Sequence, residues 1–284
     1  LMKFYEAVNA RFREHNGRNI YMVGEVFSEW DKVAPYYIGL PALFDFSFWW
    51  RMNADINQGL GLNFADATIS THETFRSYRS DYIAATKLSN HDENRARSEL
   101  GGSLSKAKLA GAILLSSQGS PYIYYGEELG YTGTKSGGDE YVRTPMYWGD
   151  HYVTSYTTKI DPAVEAAVGS VVSQEADASS ILTMYRQLGR LRNSCPALAT
   201  GKMERHPVIN PKTGGIYSQV AAWYMIEGNQ KLLVLHNLGQ SEIIISLSDS
   251  LDKPLFANGR VQSKKEKEHF QLKMEGYSSV IFEL

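Results

Sequence analysis

Cysteine is almost missing from this sequence. Cys195 is the only one in 284 residues, which excludes a disulfide framework and a zinc site built from cysteines. Standing before Pro196, it reads as structural. Long apolar runs are missing as well. The longest, such as Leu109 to Leu115, are too short to span a bilayer, and no signal-peptide pattern opens at Leu1, which says little if the natural N-terminus lies elsewhere. Charge of one sign is also scarce. The formal net charge is −2, and the one charge run, Lys264 to Glu268, alternates in sign and reads as a solvated turn or edge strand. Nucleic acid is therefore not an expected partner. Internal repeats and low-complexity segments are absent.

What the sequence does have is apolar and aromatic content. Its 284 residues suffice for one large domain and a small one, and an apolar content of 43% supports a substantial core. The 18 Tyr, 11 Phe and 5 Trp form clusters such as Phe44, Phe46, Phe48, Trp49, Trp50 and Tyr122, Tyr124, Tyr125. These suit stacking on sugar rings, although for any single aromatic core packing is the better expectation.

From Leu1 to about Leu198, helical and strand patterns alternate. Phe4, Val8 and Phe12 mark a first helix with Gly17 as its C-cap. Strands are expected to end at Glu25 and to run over Ala42–Phe46, 82–88 and Tyr122–Tyr125. Helices are expected over 47–60 and 72–80 and from Leu104, stopped by Gly119-Ser-Pro121. A polar, Gly-rich loop covers about 130–175. Asp177 then N-caps a helix with Ile181, Tyr185, Leu188 and Leu191 on its core face. Past Pro196 the runs shorten, as in Val220–Ile226, Lys231–His236 and Ile243–Ile245, and Gly and Asn turns separate them. Such a pattern means a small antiparallel sandwich. The boundary is placed near residue 200, giving segments 1–200 and 201–284. Four strands in βα rhythm fit half of an eight-stranded barrel or an open doubly wound sheet, and the pattern alone leaves both open.

Two strand ends carry acid groups. Ile20-Tyr-Met-Val-Gly-Glu-Val-Phe27 delivers Glu25, and Ile83-Ala-Ala-Thr-Lys-Leu-Ser-Asn-His-Asp92 delivers a His-Asp pair. In a (β/α) barrel the C-terminal strand ends hold the catalytic groups, and paired carboxylates are the chemistry of glycoside cleavage.

These segments resemble those of glycoside hydrolase family 13, the α-amylase family. Val23-Gly-Glu-Val26 is similar to the family's fifth-strand motif, and Leu88-Ser-Asn-His-Asp92 to its seventh. Gly119-Ser-Pro-Tyr-Ile-Tyr-Tyr-Gly-Glu-Glu128 is similar to the eighth strand. Arg143-Thr-Pro-Met-Tyr-Trp148 resembles a segment common in the family. Asp177 to Gly201, with Arg192-Asn-Ser-Cys-Pro-Ala-Leu198, resembles the last barrel helix leading into the C-terminal domain. All stand in the family's order and cover nearly the whole chain. The resemblance implies an α/β fold: the second half of a TIM (β/α)8 barrel followed by a small antiparallel β-sandwich.

It also implies roles. Glu25 would be the general acid/base, its carboxyl kept protonated by burial or a nearby carboxylate. Asp92 would hydrogen-bond the sugar at the transition state, with His91 on the same ring. Arg95 would contact the next sugar, or else form a surface ion pair. Phe27 and Trp30 would line the leaving-group side, Trp30 being equally suited to loop packing. Asp45 would hydrogen-bond at the barrel mouth, and Glu127-Glu128 would be structural.

The family's nucleophilic Asp, its first four strands, its inserted domain and its usual calcium site would lie before Leu1. These residues would then hold no cofactor or metal of their own. The expected partners are an α-glucan oligo- or polysaccharide and the protein's own N-terminal half. The expected activity is retaining hydrolysis of α-1,4 bonds in starch-like glucans. An α-glucosidase or glucosyl-transferring relative, and a catalytically dead barrel, are the alternatives. Tyr147, where many exo-acting relatives have Gln, leans towards α-amylase, and survival of Glu25, His91 and Asp92 argues against the dead barrel. Location is left open, a periplasmic or extracellular one being favoured over a cytoplasmic one.

Overall fold

The computed structural model describes residues 1–149, 168–210, 213–266 and 269–284. Its first part is a parallel sheet of β1 (Val23–Gly24), β2 (Ala42–Asp45), β3 (Ile83–Lys87) and β4 (Ser120–Tyr122), ordered β1-β2-β3-β4. Register runs through Val23↔Ala42, Ala42↔Ile83 and Ala85↔Ser120. Every crossover steps to the next neighbour. A doubly wound sheet would reverse its strand order at a switch point, so this order is that of a partial barrel.

Local sequence explains the helices that fill the crossovers. Asp45 caps the helix Phe46–Gln58, its Oδ1 accepting from Phe48 N at 3.1 Å, and Gly59 closes it in the left-handed region. The face Phe48, Met52 and Ile56 of that helix is buried. The helix Leu104–Ser116 is capped by Ser103 and buries nearly all of its second half. The helix Ile181–Ser194 is capped by Ser180, whose Oγ accepts from Thr183 N at 3.0 Å.

Several expectations are corrected. Asp177 does not cap that last helix; it closes the preceding turn by accepting from Ser179 N at 2.8 Å. β4 lies at 120–122 rather than 122–125, so Pro121 sits inside the strand. It is placed at the end of the sheet order, where a missing N–H costs least. The helix expected at 72–80 begins at Phe64. In the first helix, Met2–Asn16, Tyr5 is the buried residue and Phe4 is 61% exposed. Part of the 130–175 loop, residues 150–167, lies outside the described residues.

The C-terminal part holds two antiparallel sheets. The larger is ordered β5-β6-β7-β12-β9, from β5 (Lys202–Arg205), β6 (Val220–Glu227), β7 (Gln230–Asn237), β12 (Ser278–Glu283) and β9 (Phe256–Asn258). The smaller is β10-β11-β8, from β10 (Val261–Lys265), β11 (Phe270–Met274) and β8 (Ile243–Leu247). β10 lies at its edge, so the charged run does begin on an edge strand.

The central strands β6, β7 and β12 of the larger sheet are buried on both faces. Ala222, Leu233, Leu235 and Phe282 face the smaller sheet with Ile245 and Leu272. Ala221, Trp223, Met225, Leu232 and Val234 join the barrel helices in one core with Leu109, Ile113 and Leu188. This is why β6 and β7 read as continuous apolar runs. Gly61 makes the junction close: its N–H donates to Ser218 O at 2.8 Å, and a Cβ there would meet Ala221 N at 2.4 Å.

His236 sits in this junction between Ser116 Oγ at 3.1 Å and Ser279 Oγ at 2.7 Å, and burial pushes its imidazole down to about 3. An unfolded histidine titrates near 6.5. Its contribution is therefore complete above that pH and is lost as pH falls, because the unfolded chain takes up the proton first. Relative to His236→Gln in the full-length protein, the wild-type advantage in urea unfolding should be smaller by about 2 kcal/mol at pH 5 than at pH 7.5. A pH-independent difference would contradict this.

Candidate active site

The C-terminal ends of the four parallel strands form one rim. Glu25 directly follows β1, Asp45 ends β2, Lys87 ends β3, and Tyr122 ends β4. A cavity of about 200 Å³ opens there, lined by Glu25, Phe44, Lys87, His91, Tyr122 and Tyr124 among others. Phe44 and Tyr122 meet edge to face at 4.9 Å across its floor. Glu25 is exposed, so of burial and a nearby carboxylate, the two means expected to keep it protonated, burial does not apply. β1 pairs only with β2, so among the described residues no strand pairs with its other edge beside Glu25.

His91 and Asp92 stand on the loop after β3, shaped by Asn90 Oδ1 accepting from Asp92 N at 2.8 Å. His91 Nε2 lies 3.1 Å from Asp92 Oδ2. Both side chains are about half exposed, at 57% and 52%. The other oxygen of Asp92 is held by Arg143 Nη2 at 3.1 Å, with Lys135 Nζ at 3.6 Å, and Arg143 Nε donates to His91 O at 3.1 Å. The Arg143-Thr-Pro segment thus fixes the His91–Asp92 pair.

Lys87 is the residue that the sequence reading passed over. Its ammonium is buried, pairs with Glu93 and lies 4.1 Å from the centroid of the Phe46 ring. Burial lowers its pKa, while Glu93, Glu25 and Glu127 oppose that shift. A lone lysine inside the apolar run Ile83–Leu88 was the available signal.

Other expected positions differ. Arg95 is not at the surface, so it forms no surface ion pair: it is 1% exposed, and its guanidinium stacks over Tyr124 at 4.2 Å and Tyr125 at 4.9 Å. Trp30 is half-buried against the Tyr37 and Val33 cluster, and its backbone N–H donates to Ser47 Oγ at 2.8 Å, which fits loop packing. Phe27 is 66% exposed, edge-on to Phe46 at 4.9 Å and Trp50 at 5.4 Å, so it forms an exposed aromatic ledge two residues after Glu25. Asp45 is a buried helix cap, pushed up to about 6 by burial. Glu127 is buried beneath the rim. Among the described residues no group of three or more His, Cys, Asp or Glu could hold a metal ion.

A partial (β/α) barrel with acid groups at its C-terminal rim, backed by an antiparallel sandwich, is the architecture of a barrel glycosidase. Residues 1–201 match the family model described as alpha amylase, catalytic domain, and residues 220–281 match the alpha-amylase SusG C-terminal domain. The chain belongs to the α-amylase family. It is 52% identical to alpha-amylase SusG of Bacteroides thetaiotaomicron, over 100% of this chain and 41% of that protein. It is 31% identical to alpha-amylase 3 of Dictyoglomus thermophilum, over 94% of this chain and 52% of that one. The crystal structure of the alpha-amylase from H. orenii superposes with a TM-score of 0.84 at 28% identity, over 99% of this chain and 56% of that one. The chain thus spans about half the length of the relatives it matches.

Proposed function

We propose that the protein carrying this chain is a retaining α-glucan hydrolase acting on α-1,4 bonds of starch-like glucans. The observation that carries this reading is the cavity shared by Glu25, after β1, and His91, after β3, with Asp92 beside His91 and tied to Arg143. Glu25 protonates the leaving glycosidic oxygen and later deprotonates the attacking water. Asp92 accepts hydrogen bonds from sugar hydroxyls as the ring flattens towards an oxocarbenium ion, and His91 donates to the same ring. Tyr122 and Phe44 supply the apolar faces against which a sugar stacks. The nucleophile comes from sequence outside these 284 residues. A polymeric substrate does not cross a membrane, which supports a periplasmic or extracellular location. No helix among the described residues is long and apolar enough to cross one.

The test is starch hydrolysis by the full-length protein, with Asp92→Asn and His91→Ala compared. Contacts that tighten in the transition state affect kcat more than KM. Both substitutions should therefore lower kcat/KM mainly through kcat, Asp92→Asn on the order of 10²-fold or more. An effect on KM alone at Asp92 would move it to a peripheral binding role, and a wild-type protein inert on starch would overturn the reading.

A further inference from the structure

Beneath the rim lies a polar cluster that the chemistry above does not use. Glu127 is buried, which is costly for a carboxyl unless its hydrogen bonds are supplied. Both oxygens are satisfied: Ser89 Oγ donates to Oε2 at 3.2 Å, and Tyr185 OH donates to Oε1 at 3.0 Å. Tyr185 reaches it because position 111 is glycine; a Cβ there would meet the Tyr185 ring at 2.5 Å. The sequence could have filled this space with an apolar side chain, so the carboxyl calls for an explanation.

Its partners supply one. Ser89 is the first residue of the loop Ser89-Asn90-His91-Asp92. Arg95 stands at the other end of the same loop, with its backbone N–H donating to Gly133 O at 2.9 Å and its guanidinium donating to Tyr125 O. The segment that provides these partners is one turn: Glu127 N donates to Tyr124 O at 2.9 Å, and Tyr131 N to Gly126 O at 2.9 Å. Both ends of the loop are therefore fastened to residues 124–133.

We propose that Glu127 is a positioning residue that, through Ser89 and in concert with Arg95, clamps the His91–Asp92 loop onto the turn after β4.

The clamp is sensitive to pH. Burial pushes Glu127 up to about 8, with Glu128 adding to the shift and the Tyr185 and Ser89 hydrogen bonds and Arg95 opposing it. The charged and titratable groups facing it are Tyr185 from the helix Ile181–Ser194, Arg95 from the loop, Lys87 from β3 and Glu128 from its own turn. Below about pH 8 the carboxyl is neutral and suits its buried place; above it, the charge favours opening of the cluster towards water. A void of about 10 Å³ beside Ser89, Arg95, Glu127 and Tyr185 is on the scale of one water, the first step of such opening.

The test reads the loop itself. In the full-length protein, hydrogen–deuterium exchange of amides 88–95 is followed from about pH 6 to 9.5, corrected for intrinsic rates, in wild type, Glu127→Gln and Ser89→Ala. Wild-type protection should fall on the order of tenfold across pH 8. Glu127→Gln should hold it constant, because the amide keeps both hydroxyl partners and does not ionise. Ser89→Ala, which removes one hydroxyl on the loop, should lower protection on the order of tenfold at every pH. That the loop carries reacting groups rests on the function proposed above, and a kinetic arm covers it. On starch, Ser89→Ala should lower kcat on the order of tenfold with KM within about twofold, and Glu127→Gln should remove a fall in kcat above pH 8. Equal protection in all three proteins, with no step near pH 8, would overturn the clamp. The expected exchange pattern in a protein inert on starch would uphold the clamp and overturn the catalytic reading instead.

Discussion

Glu25→Gln in the full-length protein is expected to remove starch hydrolysis while leaving glucan binding in place. Loss of a positioned general acid/base costs on the order of 10²–10⁴-fold in rate. Glu25 is exposed at the rim, its backbone is set by β1, and glutamine keeps its size and its capacity to hydrogen-bond, so folding should be unaffected. Steady-state rates on soluble starch, paired with the affinity of the variant for a maltooligosaccharide, check both halves of the expectation. A variant turning over starch at near wild-type rate would remove Glu25 from the chemistry.

A polypeptide of only these 284 residues is expected to hydrolyse no α-glucan and to self-associate. Among the described residues β1 and β4 stand at the ends of the parallel sheet, each paired on one side only, and sequential parallel strands are stable when closed or covered. A groove of about 660 Å³ runs along the β4 side, lined by Ile83, Leu115, Pro121 and Ile123. Ile123 and Tyr21 at the two ends of the sheet are exposed. Open edges beside exposed apolar surface invite pairing between copies. Sedimentation of the purified polypeptide, with a starch assay on the same sample, decides the matter. A monomeric, active polypeptide would place the nucleophile and the barrel elsewhere than proposed.

Glu25 was legible in the sequence because it directly follows a short apolar run, and Asp92 because it stands in a His-Asp pair a few residues past another such run. The environment of Arg95 was not legible. It is built by Tyr124, Tyr125 and Tyr131, about thirty residues further on, and only the adjacency of β3 and β4 brings them together. Arg143 stood in a segment singled out by resemblance, yet its bond to Asp92 crosses two loops and has no local signature. The helix cap was missed for a different reason. Asp177-Ala-Ser-Ser180 offers several capping side chains in one turn, and the residue next to the apolar start at Ile181 takes the role. Tyr122–Tyr125 has strand propensity throughout. The sheet nevertheless stops at Tyr122 because Ser120 to Tyr122 are the residues that align with Ala85 to Lys87. Pairing, not propensity, sets that end.

The sheet shared by the two parts has a consequence for how this chain can change in length. Along β6, Ala221, Trp223 and Met225 belong to the core beneath the barrel helices, while Val220 and Ala222 belong to the core of the sandwich. Side chains alternate with a period of two, so a one-residue insertion or deletion within β6 or β7 would send each set into the other's space. Trp223 would then point into the sandwich, and its indole bond to Ser116 O would be lost. An ordinary sheet with one wet face can absorb such an error by exposing a side chain. Along β6 and β7 this one has no wet face to use, so length variation among relatives should collect in the hairpins and loops, such as Gly214-Gly215 and Gly228-Asn229, and spare the strands between them.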